Sequence, residues 1–429
     1  MKDERYSNSR WIIVGVSFAT LALSYTVMYS FSIFFVALIK EYGWSRSVTA
    51  GAFSFFWILH GIIGPWVGSL ADRFGSRRVF LSGSLLLGLG LALCSLTRSW
   101  WHFYLFFSVI SSIGVAATGW IPNTTVIQNC FREKRGLAMG IVSSGVGIGI
   151  LVCVPLIQHL ISGVGWRMTY LIMAMFIPLI IISMVMIFLR NRPQSTLSDP
   201  AEKGRIQTLT EDPSVADGEW ASRSWTLRQA ISTKQFWILS TAFFFNGLVT
   251  QSVLTHQMAF WVDEGLEVLF ASYIVGMTGI VSVAGKIIWG TLSDKIGREV
   301  TYTLVIGCSI CGMLSLIAFT ILASPSLPFL YAMFFGLGYA GAASLPPLII
   351  ADFFEGRAYG RIFGAVFVLN GFGGAFGAWV AGFLYDQMGS YVPLLIGMIA
   401  CAMFACLIVW IAAPRKSMIV PGKRRVHIS

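Results

Sequence analysis

The chain has 429 residues, of which 56% are hydrophobic and only 11% charged, and 30 Lys+Arg against 19 Asp+Glu give a formal net charge of +11. A soluble globular domain carries about 25% charged residues. With a mean hydropathy of +0.75, this composition excludes a soluble globular domain and points to a polytopic membrane protein.

The amino terminus, "MKDERYSNSRW", is polar for ten residues before the first apolar run. That run is too long for a signal-peptide core and is expected to stay as the first span. A span needs roughly 20 apolar residues. Twelve are predicted, at 11–39, 47–72, 78–97, 101–130, 135–163, 167–189, 234–263, 268–294, 299–323, 327–354, 358–386 and 391–413. The stretch 190–233 is rich in Ser, Asp, Glu, Pro and Thr and reads as a solvated linker. Its end, "WTLRQAISTKQFW", has the spacing of a short interfacial helix. The predicted fold is all-α, with twelve transmembrane helices in two six-helix pseudo-repeat bundles. The domains are then 1–189, the linker 190–233, 234–413, and a basic tail 414–429.

Charge sets the expected orientation. With the amino terminus in the cytoplasm, inner segments collect 25 of the 30 Lys+Arg, and the outer side holds Lys40, Arg46, Arg98 and Arg167. Both termini are therefore expected to be cytoplasmic, in a bacterial-type inner (plasma) membrane. The positive charge is a topology signal, and the tail meets lipid rather than nucleic acid. One cation is left over, Lys286. No span centre holds Asp or Glu; Asp352 and Glu355 stand at the inner end of span 10. The seven cysteines lie in or at the ends of apolar runs. Cys308 and Cys311 have no second pair to complete a metal site, so they read as packing residues.

The chain repeats itself. "GSLADRFGSRRV" from Gly68 returns as "GTLSDKIGREVT" from Gly290, 222 residues later. "WIPNTTVIQNCF" returns as "SLPPLIIADFFE", with Pro122 matching Pro346, 224 residues later. Gly136, Gly140, Gly147 and Gly149 pair with Gly360, Gly364, Gly371 and Gly373 at the same offset. A six-span unit used twice in parallel places substrate sites near the midplane between the halves.

The repeated loop resembles the loop motif of the major facilitator superfamily, and the resemblance covers the whole chain. Within it the chain is similar to the monocarboxylate transporter and oxalate/formate antiporter group. The likeness is carried by "SYTVMYSFSIFFVALIKEYGWSRS", "FREKRGLAMGIVSSG", "WTLRQAISTKQFWIL" and "GKIIWGTLSDKIGR". An arginine usually stands where this chain has Lys286. Animal members carry a lysine where this chain has Tyr29 and an aspartate where it has Ser282. The acidic-Gly start of the first-span signature is also missing before Trp11. The resemblance implies inner gates in which Asp72 and Asp294, with Arg73 and Lys295 beside them, hold the halves together against arginines and a helix amino end. The rival reading is a tight positive-inside turn, which explains the glycines and arginines but not the paired aspartates.

Lys286 lies eight residues before Asp294, roughly 12 Å along a helix. In a hydrocarbon core about 30 Å thick that is close to midplane. A central lysine costs about 2.5–3.5 kcal/mol to insert. One reading is snorkelling towards the inner surface. The other is that an anionic substrate supplies the opposite charge, with or without a proton. Ser282 and Gly279 fall on the same face and suit a cavity wall.

Other polar residues lie at useful depths. These are Asn123 with Trp120 in span 4, Tyr25 and Tyr29 in span 1, Tyr339 in span 10 and Asn370 in span 11. Each is a candidate ligand contact; each also reads as an interhelical hydrogen bond. Pro122, Pro346 and Pro347 should free backbone carbonyls. His256, in the outer half of span 7, is a candidate proton-linked or gating residue. His60 and His159 read as packing.

"SGVGIGI" and "GFGGAFG" lie inside spans and suit close helix packing rather than nucleotide binding. No ATPase loop is present, so transport should run on gradients without a cofactor. The chain is expected to be a monomeric secondary transporter of a small organic anion, a monocarboxylate first, by proton symport or anion exchange. A drug–proton antiporter is the alternative, although Cys153 and Val154-Pro155 break the span 5 motif it would need. A non-transporting sensor on the same scaffold is the alternative of another class. With no nucleophile–base or metal cluster in view, an enzyme is not expected.

Overall fold

The computed structural model describes residues 2–130, 135–189, 225–354 and 359–412; the side chains of 2–10, 128–130, 135–137, Asp72 and Asp294 lie outside that description. The tail from 413 and the linker from 190 to 224 also lie outside it.

Among the described residues, eleven helices are long and apolar enough to cross a membrane. One of them, Arg135–Phe188, is two helices joined at Gly165, whose φ of 81° breaks the run. Spans 5 and 6 therefore meet there, and the count is twelve. Span 1 is Lys2–Tyr29 continued by Phe31–Tyr42. Spans 2 and 3 are Arg46–Phe74 and Ser76–Ser95. Spans 7 to 12 are Lys234–Asp263, Val268–Ile296, Arg298–Leu322, Leu327–Phe353, Tyr359–Met388 and Val392–Ala412. The expected interfacial helix is one short turn, Leu227–Ile231, started by a capping box between Thr226 and Gln229.

Span 4 is less regular than its hydropathy suggests. It runs as Trp100–Phe103, a π-helix Tyr104–Ser111, Ser112–Thr118 and, after a break at Gly119, Trp120–Cys130. π-turns of this kind are uncommon and gather at functional positions.

The repeat seen in the sequence is written into the backbone. Among the described residues six glycines have positive φ: Gly43, Gly75, Gly165, Gly265, Gly297 and Gly389. They form three pairs, 43 with 265 and 75 with 297 at an offset of 222, and 165 with 389 at 224. Gly75 (φ 84°, ψ 143°) and Gly297 (φ 96°, ψ 158°) hold the repeated loops in a conformation that essentially only glycine adopts.

Helix crossings repeat too. A Cβ on Gly90 would meet Ser111 Oγ at 2.4 Å, and one on Gly114 would meet Leu87 Cα at 2.6 Å, so spans 3 and 4 touch through missing side chains. Their counterparts Gly312 and Gly338 do the same for spans 9 and 10, against Phe335 and Ser309. Without a hydrophobic drive between helices in lipid, such close backbone approach is what holds spans together.

The chain forms two compact units. One comprises Met1–Gln194, Gln251–Val283 and Ala375–Leu394; the other comprises Ser195–Thr250, Ala284–Gly374 and Leu395–Ser429. Spans 7, 8 and 11 thus each contribute one half to either unit. In the first unit span 5 meets the first half of span 8: a Cβ on Gly147 would lie 2.6 Å from Gly279 O, and one on Gly279 would lie 2.7 Å from Gly147 O.

Candidate functional site

In the second unit, the end of span 8 is fastened to span 10. A Cβ on Gly285 would meet Ala340 Cβ at 2.6 Å, and the Trp289 indole donates to Leu337 O at 2.8 Å. Lys286 lies between these anchors and is half-buried. Its Nζ is 6.0 Å from the centroid of the Tyr339 ring, within reach of a cation–π attraction. Two sequence candidates are thus neighbours.

Ser282, one turn earlier, is not open. It is fully buried, and its hydroxyl donates to Gly279 O at 2.7 Å. A Cβ on Gly147 of span 5 would stand 3.2 Å from its Oγ. The cavity wall expected at Gly279 and Ser282 is instead a tight crossing of two helices, because both residues are small enough to let the backbones meet.

Asn123 sits at the break in span 4. Pro122 has no N–H, so the Thr118 carbonyl has no helical partner. Asn123 Nδ2 donates to Thr118 O at 3.1 Å and to Gly119 O at 2.7 Å. Ser24 Oγ of span 1 also reaches Thr118 O, at 3.3 Å. Two carbonyl acceptors fix which way the amide points, so Oδ1 is the other end. That oxygen is buried without a hydrogen-bond partner. The second half solves the same problem likewise: Pro346 frees Ala342 O, and Asn246 of span 7, the counterpart of Ser24, donates to it at 3.2 Å.

Tyr25 lies beside this break. A Cβ on Gly119 would lie 3.3 Å from Tyr25 Cε2. The Tyr25 ring stacks with Tyr29 at 6.2 Å and meets His60 edge-on at 6.4 Å. Both tyrosines are half-buried, and Trp120 is 37% exposed. The structure therefore brings Tyr25, Tyr29 and Asn123 to one region.

Asn370 donates to Phe243 O of span 7 at 2.8 Å. A Cβ on Gly247 would clash with Asn370 O at 2.1 Å. Its amide ties spans 7 and 11, the interhelical alternative to the ligand contact for which Asn370 is a candidate.

His256 is buried with both ring nitrogens engaged. Nε2 faces Ala378 O at 3.0 Å, and Nδ1 faces the Tyr391 hydroxyl at 2.9 Å. A carbonyl only accepts, so Nε2 carries the hydrogen and Nδ1 accepts from Tyr391.

At the repeated loops, Arg73 and Lys295 are exposed, and the side chains of Asp72 and Asp294 lie outside the described residues. Arg298 is buried and pairs with Asp352 at 2.9 Å while bonding Ser293 Oγ.

Sequence reasoning missed three things. Asn246 was findable as the counterpart of Ser24. Gln251 Oε1 and Thr255 Oγ1, one turn apart on span 7, are buried without hydrogen-bond partners; only their polarity within an apolar run hinted at them. Arg46 read as a loop charge, yet it joins Asp263, Asp386 and Tyr391.

Among the described residues, membrane-length helices built by using a six-span unit twice, with polar groups set within them, define a multi-pass membrane protein. The chain belongs to the Major Facilitator Superfamily, whose family model matches residues 17–378. It is accordingly a membrane transporter and not an enzyme. Monocarboxylate transporter 13 of Rattus norvegicus is 26% identical over 393 residues, covering 90% of this chain and 85% of that one. The oxalate:formate antiporter of Oxalobacter formigenes is 26% identical over 434 residues, covering 98% and 97%. Among solved structures, a bacterial homolog of the human lysosomal transporter Spinster, inward-facing and occupied, superposes with a TM-score of 0.66 at 14% identity, covering 96% of each chain. That likeness concerns the fold alone.

Proposed function

We propose that this chain is a secondary carrier of small organic anions, a monocarboxylate first, and that Lys286 is the anion-binding charge. The observation that carries the reading is a lysine near the midpoint of a span, held between two anchors to span 10 and set against the Tyr339 ring. A cation at that depth is costly and marks a substrate path by default. Relatives named as monocarboxylate transporters and as an oxalate:formate antiporter support the same substrate class.

In this reading Tyr339, Tyr25, Tyr29, Asn123 and Trp120 supply contacts around the anion, and Asn370 and Ser282 hold the helices that carry them. The halves 1–189 and 234–413 move against each other as a monomer, joined by the linker 190–233 and followed by the tail 414–429. Asp72 and Asp294, with Arg73 and Lys295, close the cytoplasmic face. Both termini are cytoplasmic, in the inner (plasma) membrane, because 25 of the 30 Lys+Arg then fall inside. His256 is the candidate for proton linkage.

The test is counterflow in proteoliposomes with lactate, pyruvate, formate, oxalate and a cationic dye. At least one carboxylate should exchange, and Lys286→Gln should abolish that exchange while the protein stays monodisperse. Wild-type uptake by Lys286→Gln would overturn the role of Lys286. Dye flux alone would favour a drug–proton antiporter, and no flux of any solute a sensor. An imposed pH gradient separates symport, which it drives, from anion exchange, which it does not.

A further inference from the structure

Span 2 carries two polar rings at mid-length. His60 is the middle residue of the 29-residue helix Arg46–Phe74, and Trp57 stands three residues before it. The two rings meet edge-on with centroids 6.1 Å apart. Their counterparts 222 residues on are Gly279 and Ser282, small enough for the crossing with span 5. The first half thus places two polar rings where the repeated scaffold needs only small residues.

His60 is bonded through one nitrogen. It donates to the backbone carbonyl of Ser112, just after the π-helix of span 4. Nδ1 is buried without a hydrogen-bond partner, so that bond runs through Nε2. A neutral ring with its hydrogen on Nε2 keeps a bare acceptor at Nδ1. The Trp57 indole N–H is likewise buried without a partner. The His60 ring stands edge-on to Tyr25 at 6.4 Å. Tyr25 in turn adjoins Gly119, whose carbonyl accepts from the Asn123 amide at 2.7 Å. Asn123 Oδ1 is another orphan, and again an acceptor. These three orphaned atoms gather around His60 and Tyr25, all within the first compact unit.

Each orphaned buried group costs about 1–3 kcal/mol, and native proteins keep few of them. Three in one neighbourhood mark a place that a bound group completes. Their chemistry says which group. A carboxylate offers only acceptors; it suits the indole and is repelled by Nδ1 and Oδ1. An ammonium group offers only donors and leaves the indole unpaired. A hydroxyl does both, giving its hydrogen to an acceptor and receiving the indole N–H on a lone pair.

We propose that the first half holds a hydroxyl-recognition site, in which a hydroxyl of the cargo donates to His60 Nδ1 and accepts from Trp57 Nε1. Asn123 Oδ1 is then open to a second donor on the cargo. The carrier accordingly favours hydroxy acids over acids of the same size that lack the hydroxyl. This deepens, and rests on, the reading of the chain as a carrier of small organic anions.

The experiment is a binding titration of the purified protein in detergent with matched compounds: lactate, propionate, pyruvate and the neutral propane-1,2-diol. Lactate should bind about tenfold or more tighter than propionate or pyruvate. His60→Phe keeps the ring and loses Nδ1, and the ratio of lactate to propionate affinity should fall to about two or less. His60→Gln, which restores one acceptor and one donor, should recover part of that ratio. A role in packing alone would weaken both acids alike and leave the ratio unmoved, which would overturn the site. Should His60→Phe not fold, as size-exclusion would reveal, Trp57→Phe, which removes only the indole donor, should lower the same ratio. Nitrogen NMR of histidine-labelled protein supplies a second readout. The His60 Nδ1 signal, identified by its loss in the phenylalanine variant, should move with lactate and stay put with propionate. A signal moved by neither means that water alone fills the place, and the proposal falls. Equal affinities for lactate, propionate and pyruvate sink the hydroxyl site and leave the anion reading standing. Binding of the diol but of no acid, lost in His60→Phe, does the reverse. No binding of any of the four overturns both.

Discussion

Pro122 in span 4 and Pro346 in span 10 each open a hole in the hydrogen-bond ladder, and the side chains that fill those holes decide what the neighbouring polar residues can do. Thr118 O is met by Asn123 and Ser24, and Ala342 O by Asn246. In lipid no water replaces such a donor. Asn246→Leu should therefore cost about 1–2 kcal/mol, an interhelical bond lost plus a carbonyl left bare. Asn246→Ser, copying Ser24, should recover part of it. Thermal unfolding in detergent reads both, and equal melting for the leucine and serine variants would argue that the bond contributes nothing. The prolines, and the carbonyls they free, were legible in the sequence. Their partners were not, because a buried asparagine looks the same whether it faces a substrate or a neighbouring helix. Asn370 illustrates this: its amide is committed to Phe243 O.

Helix ends were the most legible elements. The loop motif foretold turns after spans 2 and 8, and Gly75 and Gly297 supply them with positive φ. An alanine at either should cost about 1–3 kcal/mol, since that backbone region excludes a Cβ. Gly364, inside span 11 with open space around its missing side chain, should accept alanine with a gain of up to about 1 kcal/mol. A melting comparison of Gly75→Ala, Gly297→Ala and Gly364→Ala checks the sign of all three; a loss at Gly364 matching the other two would refute this account. The broken and π-wound course of span 4 was not legible. Hydropathy sees composition along the run, whereas the break depends on Gly119, Pro122 and the donors that stabilise the interrupted ladder.

Across the whole molecule, the proposed carrier cycle asks for contacts tight enough to define a state and able to slip. The crossing of span 5 with span 8 offers a test of that reading. Gly147→Val would drive a side chain into Val283 Cγ2, 2.4 Å from the position of its Cβ. Turnover in counterflow should fall about tenfold or more, a barrier change of only about 1.4 kcal/mol, while membrane insertion and monodispersity are retained. Unchanged turnover would mean that this crossing does not limit the cycle. The same contact explains why Ser282, expected on a cavity wall, is buried where two helices cross: a small polar face serves equally to line a space or to let two backbones touch, and only the neighbouring helix decides which.

Amino-acid order alone determined the twelve spans, the doubled six-span unit, the turn glycines and the single cation at mid-depth. All of these are local or periodic signals, written by the free energy of placing each residue in lipid. The three-dimensional packing decided which polar groups meet. Arg46 finds Asp263 and Asp386 across 217 and 340 residues of chain, Lys286 finds the face of Tyr339, and Asn246 finds the carbonyl that Pro346 released. No periodicity encodes such pairings, because hydrogen bonds and ion pairs depend on depth, rotation and the approach of a second helix, and those are set only when the helices pack.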